Sequence, residues 1–387
     1  MRYLARGALW FSLFLILFVI GFKARFGGGL QPFPDLRTPP IIPMPEADNR
    51  LEVVARLPVA PGNVAVSESG RVFFTFHPEG RPEGDMLVEL VAGQPVAFPS
   101  AALQGTAGGA AALDTPLGVR IDGQDRLWVI DHGFHGLRQP RLWAIDIKTR
   151  TVVHQVDLPR SVAGPGSFLQ DLAVAADGQK VYIADASVVA GRPAIVVYDV
   201  ASRSAVRRLE RHESVLDQPY LVRARGKPMR LFGGLFNLHV AIDSIALDRR
   251  GEWLYFGAMA SQGLYRVPVS ALSDPSLSAG ELARRVERFA DKVQTDGIST
   301  DSEGNIYLTD IEHGGLAVVG PDRRLQTLFS SPRLRWPDGL SFGPGGYLYI
   351  ADSNLSELMM QSRGHMRGQA PYFLFRIKLP QTAPAGQ

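Results

Sequence analysis

One short pattern recurs six times along the chain, and no other feature of the sequence limits the fold as tightly. Each copy is an apolar strand, a polar turn with Asp or Gly, and a second strand that carries an aromatic. The copies read NVAVSESGRVFFTF (63–76), GVRIDGQDRLWVID (118–131), DLAVAADGQKVYIAD (171–185), DSIALDRRGEWLYFGA (243–258), DGISTDSEGNIYLTD (296–310) and DGLSFGPGGYLYIAD (338–352). Their aligned aromatics are Phe73, Trp128, Tyr182, Tyr255, Tyr307 and Tyr349, spaced 55, 54, 73, 52 and 42 residues apart. A unit of this size cannot bury its own apolar faces, so it must stack on its neighbours.

A third strand follows most hairpins (86–93, 141–147, 194–200, 263–269, 315–320 and 372–379), and a fourth usually follows that (94–99, 151–158, 204–210 and 324–330). Period-two alternation and Gly/Asp turns support each strand. Six units of about four strands predict an all-β, six-bladed β-propeller. The last unit lacks an outer strand, and RLEVVARL at 50–57 can supply it. Closing the ring with N-terminal sequence removes an unpaired sheet edge.

The composition agrees with this fold. Hydrophobic residues at 45% and charged residues at 20% exclude wholesale disorder, while 40 Gly and 28 Pro suit a protein full of tight turns. A net charge of +3, with Arg and Lys scattered, lacks the basic stripe of a nucleic-acid binder. No cysteine is present, which excludes disulfides, thiol catalysis and thiolate zinc sites.

Four segments are expected: a hydrophobic helix at 1–26, a Gly/Pro-rich tether at 27–48, the propeller at 49–380 and a tail at 381–387. Residues 8–22 carry no charge and are flanked by Arg2, Arg6, Lys23 and Arg25. This fits either a cleaved secretory signal or an uncleaved anchor over 7–23. Both imply export to the periplasm or extracellular space, and the second makes the membrane a partner.

Hairpin geometry places the chemistry. Strand starts and partner-strand ends lie at the same end of each hairpin. Asp171, Asp243, Asp296 and Asp338 should therefore share one face of the disc with Asp131, Asp185, Asp310 and Asp352. Turn residues such as Asp177 and Asp301 should lie on the opposite face. The long insertions 132–140, 210–240 and 353–370 also emerge on the acidic face, where loops on a rigid scaffold can build a site. His132, His135, His239 and His313 are candidate proton carriers there, with Glu312 beside His313. Asn354 is a further polar candidate, and Trp336 and Phe236 could wall a ring-shaped ligand. Arg138 and Arg335 could attract a carboxylate. No GxSxG elbow, phosphate-binding GxxxxGK[ST], GxGxxG or HExxH is present.

Several of these stretches, in order, resemble the Yellow / major royal jelly protein family: RLWVIDHG (126–133), RLWAIDIKTRTVVHQVDLP (141–159), DSIALDRRGEWLYFGAMASQGLYRVPVSAL (243–272), and QTDGISTDSEGNIYLTD followed by RWPDGLSFGPGGYLYIADSNL (335–355). The resemblance implies a secreted propeller, related in fold to gluconolactonase / SMP-30 proteins. It also implies dopachrome-type isomerisation, metal-assisted lactone hydrolysis of the gluconolactonase kind, or binding of small aromatic amines. The lactonase relatives hold a divalent cation through a Glu, Asn residues and an Asp. Asp296 matches that Asp, Asp243 falls where an Asn would be, and Gly62 and Asn63 stand where the Glu is sought. Ca²⁺ or Mg²⁺ on Asp296 and Asp243 is the cofactor so implied.

The expected catalytic set is Asp296, Asp338, His313 and His132. Asp171, Asp243, Asp131, Asp310, Asp352, Asn354, Trp336 and His239 are expected to contact a small-molecule ligand. The alternatives are a non-catalytic module that captures an aromatic amine, and a protein-interaction propeller using loops 210–240 and 353–370.

Overall fold

A computed structural model describes residues 2–105, 112–380 and 383, with the side chains of these residues apart from 2–9 and 25. Six antiparallel four-stranded sheets follow one another along the chain. Their inner strands are Pro61–Val66, Pro116–Ile121, Leu169–Val174, Ile242–Leu247, Ile298–Thr300 and Pro337–Gly343. Each aligned aromatic pairs across its hairpin with an inner-strand residue: Ala65 with Phe73, Arg120 with Trp128, Ala173 with Tyr182, Ala246 with Tyr255, Ser299 with Tyr307, and Ser341 with Tyr349. In every blade but the second the partner is Ala or Ser, and a small residue opposite a ring leaves the ring room to pack against the neighbouring blade. Phe73, Leu127, Val129 and Trp143 form one such interblade core between blades one and two.

The ring closes as expected. Glu52–Leu57 is the outer strand of blade six, antiparallel to Tyr372–Lys378. Blade four has an outer strand that the sequence pattern did not mark, Glu287–Asp291. It follows two short helices, Val269–Ser273 and Ala279–Ala283, and a Ser278–Glu281 capping box starts the second.

The segment 27–48, expected to be a tether, lies on the propeller instead. Gln31 bridges Tyr220, and the Asn237 side chain donates to the carbonyls of Gly27 and Gly28. Ile41 and Ile42 then donate backbone N–H groups to Thr327 and Leu328 on the outer strand of blade five. Phe33 and Ile42 are buried there, so apolar side chains fix the segment where periodicity is lacking. The helix Arg2–Phe26 stacks Phe26 on Phe236, with ring centres 5.8 Å apart, while residues 10–21 are exposed. Among the described residues no helix is long and apolar enough to cross a membrane. The tail 381–387 lies outside the described residues except for 383.

Candidate functional site: a carboxylate cluster on the propeller axis

An extra residue interrupts the mouth end of five inner strands, between Pro61 and Val64, Pro116 and Val119, Leu169 and Leu172, Ile242 and Ser244, and Pro337 and Leu340. Such bulges re-aim side chains. The equivalent paired residues Leu172, Ile245, Ile298 and Leu340 set a common count. Asp243, Asp296 and Asp338 each stand two places before that residue, in blades four, five and six. Asp171 stands only one place before it. In blades two, five and six that nearer place is Gly118, Gly297 and Gly339, and it is crowded by the neighbouring strand. A Cβ on Gly297 would lie 2.1 Å from the Asp338 carbonyl oxygen, and one on Gly339 would lie 2.7 Å from the Asn63 side-chain oxygen. The glycine of each Asp-Gly pair is therefore required by this close approach.

The offset divides the axis into two halves. On the side of blades one to three, Asp171 accepts from Arg120 (3.0 Å) and from the Asn63 amide (3.0 Å), and Arg120 also donates to the Asn63 oxygen (3.0 Å). All three side chains are buried, and together they bridge three blades. Burial raises the Asp171 pKa, and the Arg120 guanidinium opposes the rise.

On the side of blades four to six the carboxyls lack such a cation clamp. Asp243, Asp296 and Asp338 are 1%, 5% and 7% exposed. Burial and then mutual repulsion push Asp243 and Asp338 well above the usual carboxylate range, and burial pushes Asp296 up to about 6. Asp243, kept protonated, hydrogen-bonds to Asp296, which also accepts the Trp336 indole N–H at 2.6 Å. Oδ2 of Asp243 and Oδ2 of Asp338 have no hydrogen-bond partner.

Two more groups face the cluster. His77 Nε2 lies 3.8 Å from Asp338 Oδ2. Its Nδ1 accepts the Glu79 N–H, so Nε2 carries the proton, and burial lowers its pKa to about 3 and keeps it neutral. Lys292 is fully buried and donates to the Met259 and Val293 carbonyls. Desolvation lowers its pKa to about 7, against the opposing pull of Asp243.

An apolar roof covers the cluster. Ala186, Val222, Leu238, Val240, Met259, Ile311, Trp336 and Leu355 belong to one buried core on the mouth side. The Gln294 side chain ties down the long loop after blade three by donating to the Leu221 carbonyl and accepting from the Arg223 N–H. A cavity of about 700 Å³ opens on the opposite face, among turn residues such as Asp122, Asp177 and Arg249.

Other residues expected in the site have partners of their own outside the three carboxyls. Asp131 accepts backbone N–H groups of Asp114, Thr115 and Gly133, and Asp352 accepts those of Arg335 and Trp336 as well as the Arg335 side chain. Asp185 does the same with Phe168, Ser187 and Arg207. These strand-end carboxylates join the chain entering each blade to the second strand. His313 pairs with Asp310 at 2.9 Å, and that carboxylate raises its pKa. His239 pairs with Asp217 at 2.8 Å beneath Gly28 and Gly29. His132 is buried, neutral and packed edge-to-face against His135 and Phe168, with its Nε2 unbonded. Asn354 is a buried left-handed residue just after the second strand of blade six whose amide nitrogen is unbonded. On the opposite face Asp301 accepts turn N–H groups and the Tyr307 hydroxyl.

Sequence reasoning did not select Arg120, His77 or Lys292. Arg120 had a legible signal, because the equivalent residue in the other five blades is Ala or Ser. The cation expected from the lactonase resemblance meets a poor donor set: among the described residues no group of three or more His, Asp or Glu is arranged to hold a metal ion. The arrangement can instead hold, donate and accept protons in a dry space.

A model of the major royal jelly protein family matches residues 115–360, more than half the chain. Among curated proteins, the chain is 26% identical over 219 residues to major royal jelly protein 3 of Apis mellifera, covering 54% of this chain and 38% of that protein. It is 31% identical over 160 residues to major royal jelly protein 2 of Apis mellifera, covering 38% and 33%. The match thus spans well under half the length of either relative. Among solved structures, a gluconolactonase from Xanthomonas campestris superposes with a TM-score of 0.53 at 14% identity over 85% of this chain and 89% of that one. Regucalcin, a calcium-binding protein from Agrobacterium tumefaciens, gives a TM-score of 0.54 at 15% identity over 90% and 100%. At these identities the structural likeness concerns the fold alone.

Proposed function

This chain belongs to the major royal jelly protein family, and from that premise we propose that it is an exported propeller that moves protons on a small cyclic or aromatic metabolite at Asp243, Asp296 and Asp338. The observation that carries this reading is a buried set of carboxyls of unequal acidity with two oxygens left unbonded. Asp296 ionises near pH 6, so at neutral pH it is a carboxylate fit to remove a proton from an acidic C–H. Asp338 stays protonated and can deliver its proton to the carbonyl oxygen that gains the electron pair. The proton taken by Asp296 then returns to Asp338 through the shared cluster, so the substrate is isomerised and the protein is unchanged. Trp336 holds Asp296 in place, and Lys292 supplies a nearby cation.

The same unbonded oxygens suit a protonated aromatic amine, which would make the chain a binding module. A screen of the full chain with dopachrome-type substrates, simple lactones and aromatic amines separates the readings. Turnover that falls by about 10²-fold or more in Asp296→Asn supports proton transfer. Saturable binding without turnover supports capture. Turnover untouched by Asp296→Asn removes this cluster from the chemistry.

A further inference from the structure

The apolar surface of the loops is segregated. Among the described residues, and leaving aside Leu30, Ile41 and Met44 of the segment before the blades, the large apolar side chains exposed in loops within and between blades are Phe134, Leu137, Val189, Leu216, Phe232 and Met360. All six lie in loops on the mouth face, and the turn-face loops carry none. Several stand far out: Leu137, Phe232 and Met360 are 60%, 59% and 64% exposed.

The N-terminal helix is rooted on this same face. Phe26 stacks on Phe236, and Asn237 grips the chain just after the helix, four to five residues from Phe232. Beyond that root the helix leaves the propeller, and Trp10 and Phe11 are exposed along with the rest of 10–21. Such a helix is apolar on every side, which is stable only where the surroundings are apolar too. The propeller provides no such surroundings for residues 10–21. Exposed cations lie near the apolar tips in the chain: Arg225 and Arg230 near Phe232 and Arg367 near Met360, with Lys227 and Arg363 also exposed but paired with Glu357 and Glu83. Apolar tips set among Lys and Arg match an anionic lipid surface, whose headgroups attract the cations while the tips enter the acyl boundary.

We propose that the mouth face of the propeller lies against an anionic lipid bilayer, with the N-terminal helix inserted in it and the tips Phe134, Leu137, Phe232 and Met360 seated at headgroup depth. The roof over the carboxylate cluster then faces the membrane. This orientation stands independently of the chemistry proposed for the cluster.

The absence of cysteine makes single labels clean. Leu137→Cys and Met360→Cys place a fluorophore on the mouth face, and Lys148→Cys places one on the turn face. The full-length protein is reconstituted into phosphatidylcholine vesicles with and without phosphatidylglycerol, and with lipid-borne spin-label quenchers. The expected result is several-fold stronger quenching of the two mouth labels than of the turn label, increasing with phosphatidylglycerol and reduced by Phe232→Asp. Equal quenching at all three positions, or stronger quenching at position 148, overturns the orientation. Energy transfer between mouth labels of two copies without lipid quenching also overturns it, and makes this face a contact between protein molecules. Circular dichroism of each labelled chain confirms that the blades remain folded.

Discussion

The two halves of the propeller axis are built from the same bulged strand start yet treat their carboxyls in opposite ways. In blades one to three, Asp171 is gripped by Arg120 and Asn63, so its charge is matched and its oxygens are bonded. In blades four to six, burial and the crowding of Asp243, Asp296 and Asp338 oppose their ionisation, and two of their oxygens bond to nothing. The first arrangement fastens blades together. The second is costly to fold, and such costs concentrate where a protein binds or transforms something.

The largest expected effect falls on the fastened half. Arg120→Met leaves Asp171 and Asn63 buried without their cation, and should destabilise the chain by about 3–5 kcal/mol in chemical denaturation. A loss below about 1 kcal/mol would mean that the clamp is not what holds these blades.

On the other half the sign reverses. Asp338→Asn removes a carboxyl whose ionisation burial and its neighbours oppose, and should stabilise the chain by about 1–2 kcal/mol at pH 8. The pH dependence follows from the raised pKa of Asp338. A folded pKa above the unfolded value imposes a cost that is full above the folded pKa and vanishes below the unfolded one. The advantage of Asp338→Asn should therefore shrink as pH falls and be gone near pH 3.8, the ordinary Asp value. An advantage that persists in acid would point to packing rather than charge.

Trp336→Phe should act more gently. It removes the N–H that favours ionised Asp296 and should raise that pKa further, by about one unit. The measurement is the pH midpoint of ligand binding or turnover, which should move up while the fold persists. The smallest effect is expected from metal removal. With no three-ligand set among the described residues, chelation should leave the melting temperature within about 1 °C. A near-stoichiometric Ca²⁺ or Mg²⁺ lost on Asp296→Ala would instead place a cation at this site.

The ring was legible because five of the six hairpins repeat the same physical solution, a small residue opposite an aromatic, and the spare strand at 50–57 had one open edge to fill. The division of the axis was harder to see. An alignment on Asp puts Asp171 beside Asp243, Asp296 and Asp338, but the following residue separates them. Ser or Gly follows the last three because the next place is crowded, whereas Leu follows Asp171, which occupies that place itself. Lys292 gave no local signal, since its burial comes from the loops folded above it. The docking of 27–48 was hidden for a similar reason: its hydrogen bonds are made to blade five and the mouth loop, far away in sequence. The outer strand of blade four was masked by the two short helices before it.

The contrast between the halves is tested most directly by measuring the stability of two variants of the full-length chain, Asp171→Asn and Asp296→Asn, side by side at pH 8. Asp171→Asn should be destabilised, because it leaves Arg120 buried without its counter-charge, while Asp296→Asn should be more stable than the parent chain. Destabilisation of both by similar amounts would contradict the division, and would make the cluster in blades four to six an ordinary fastening of the ring.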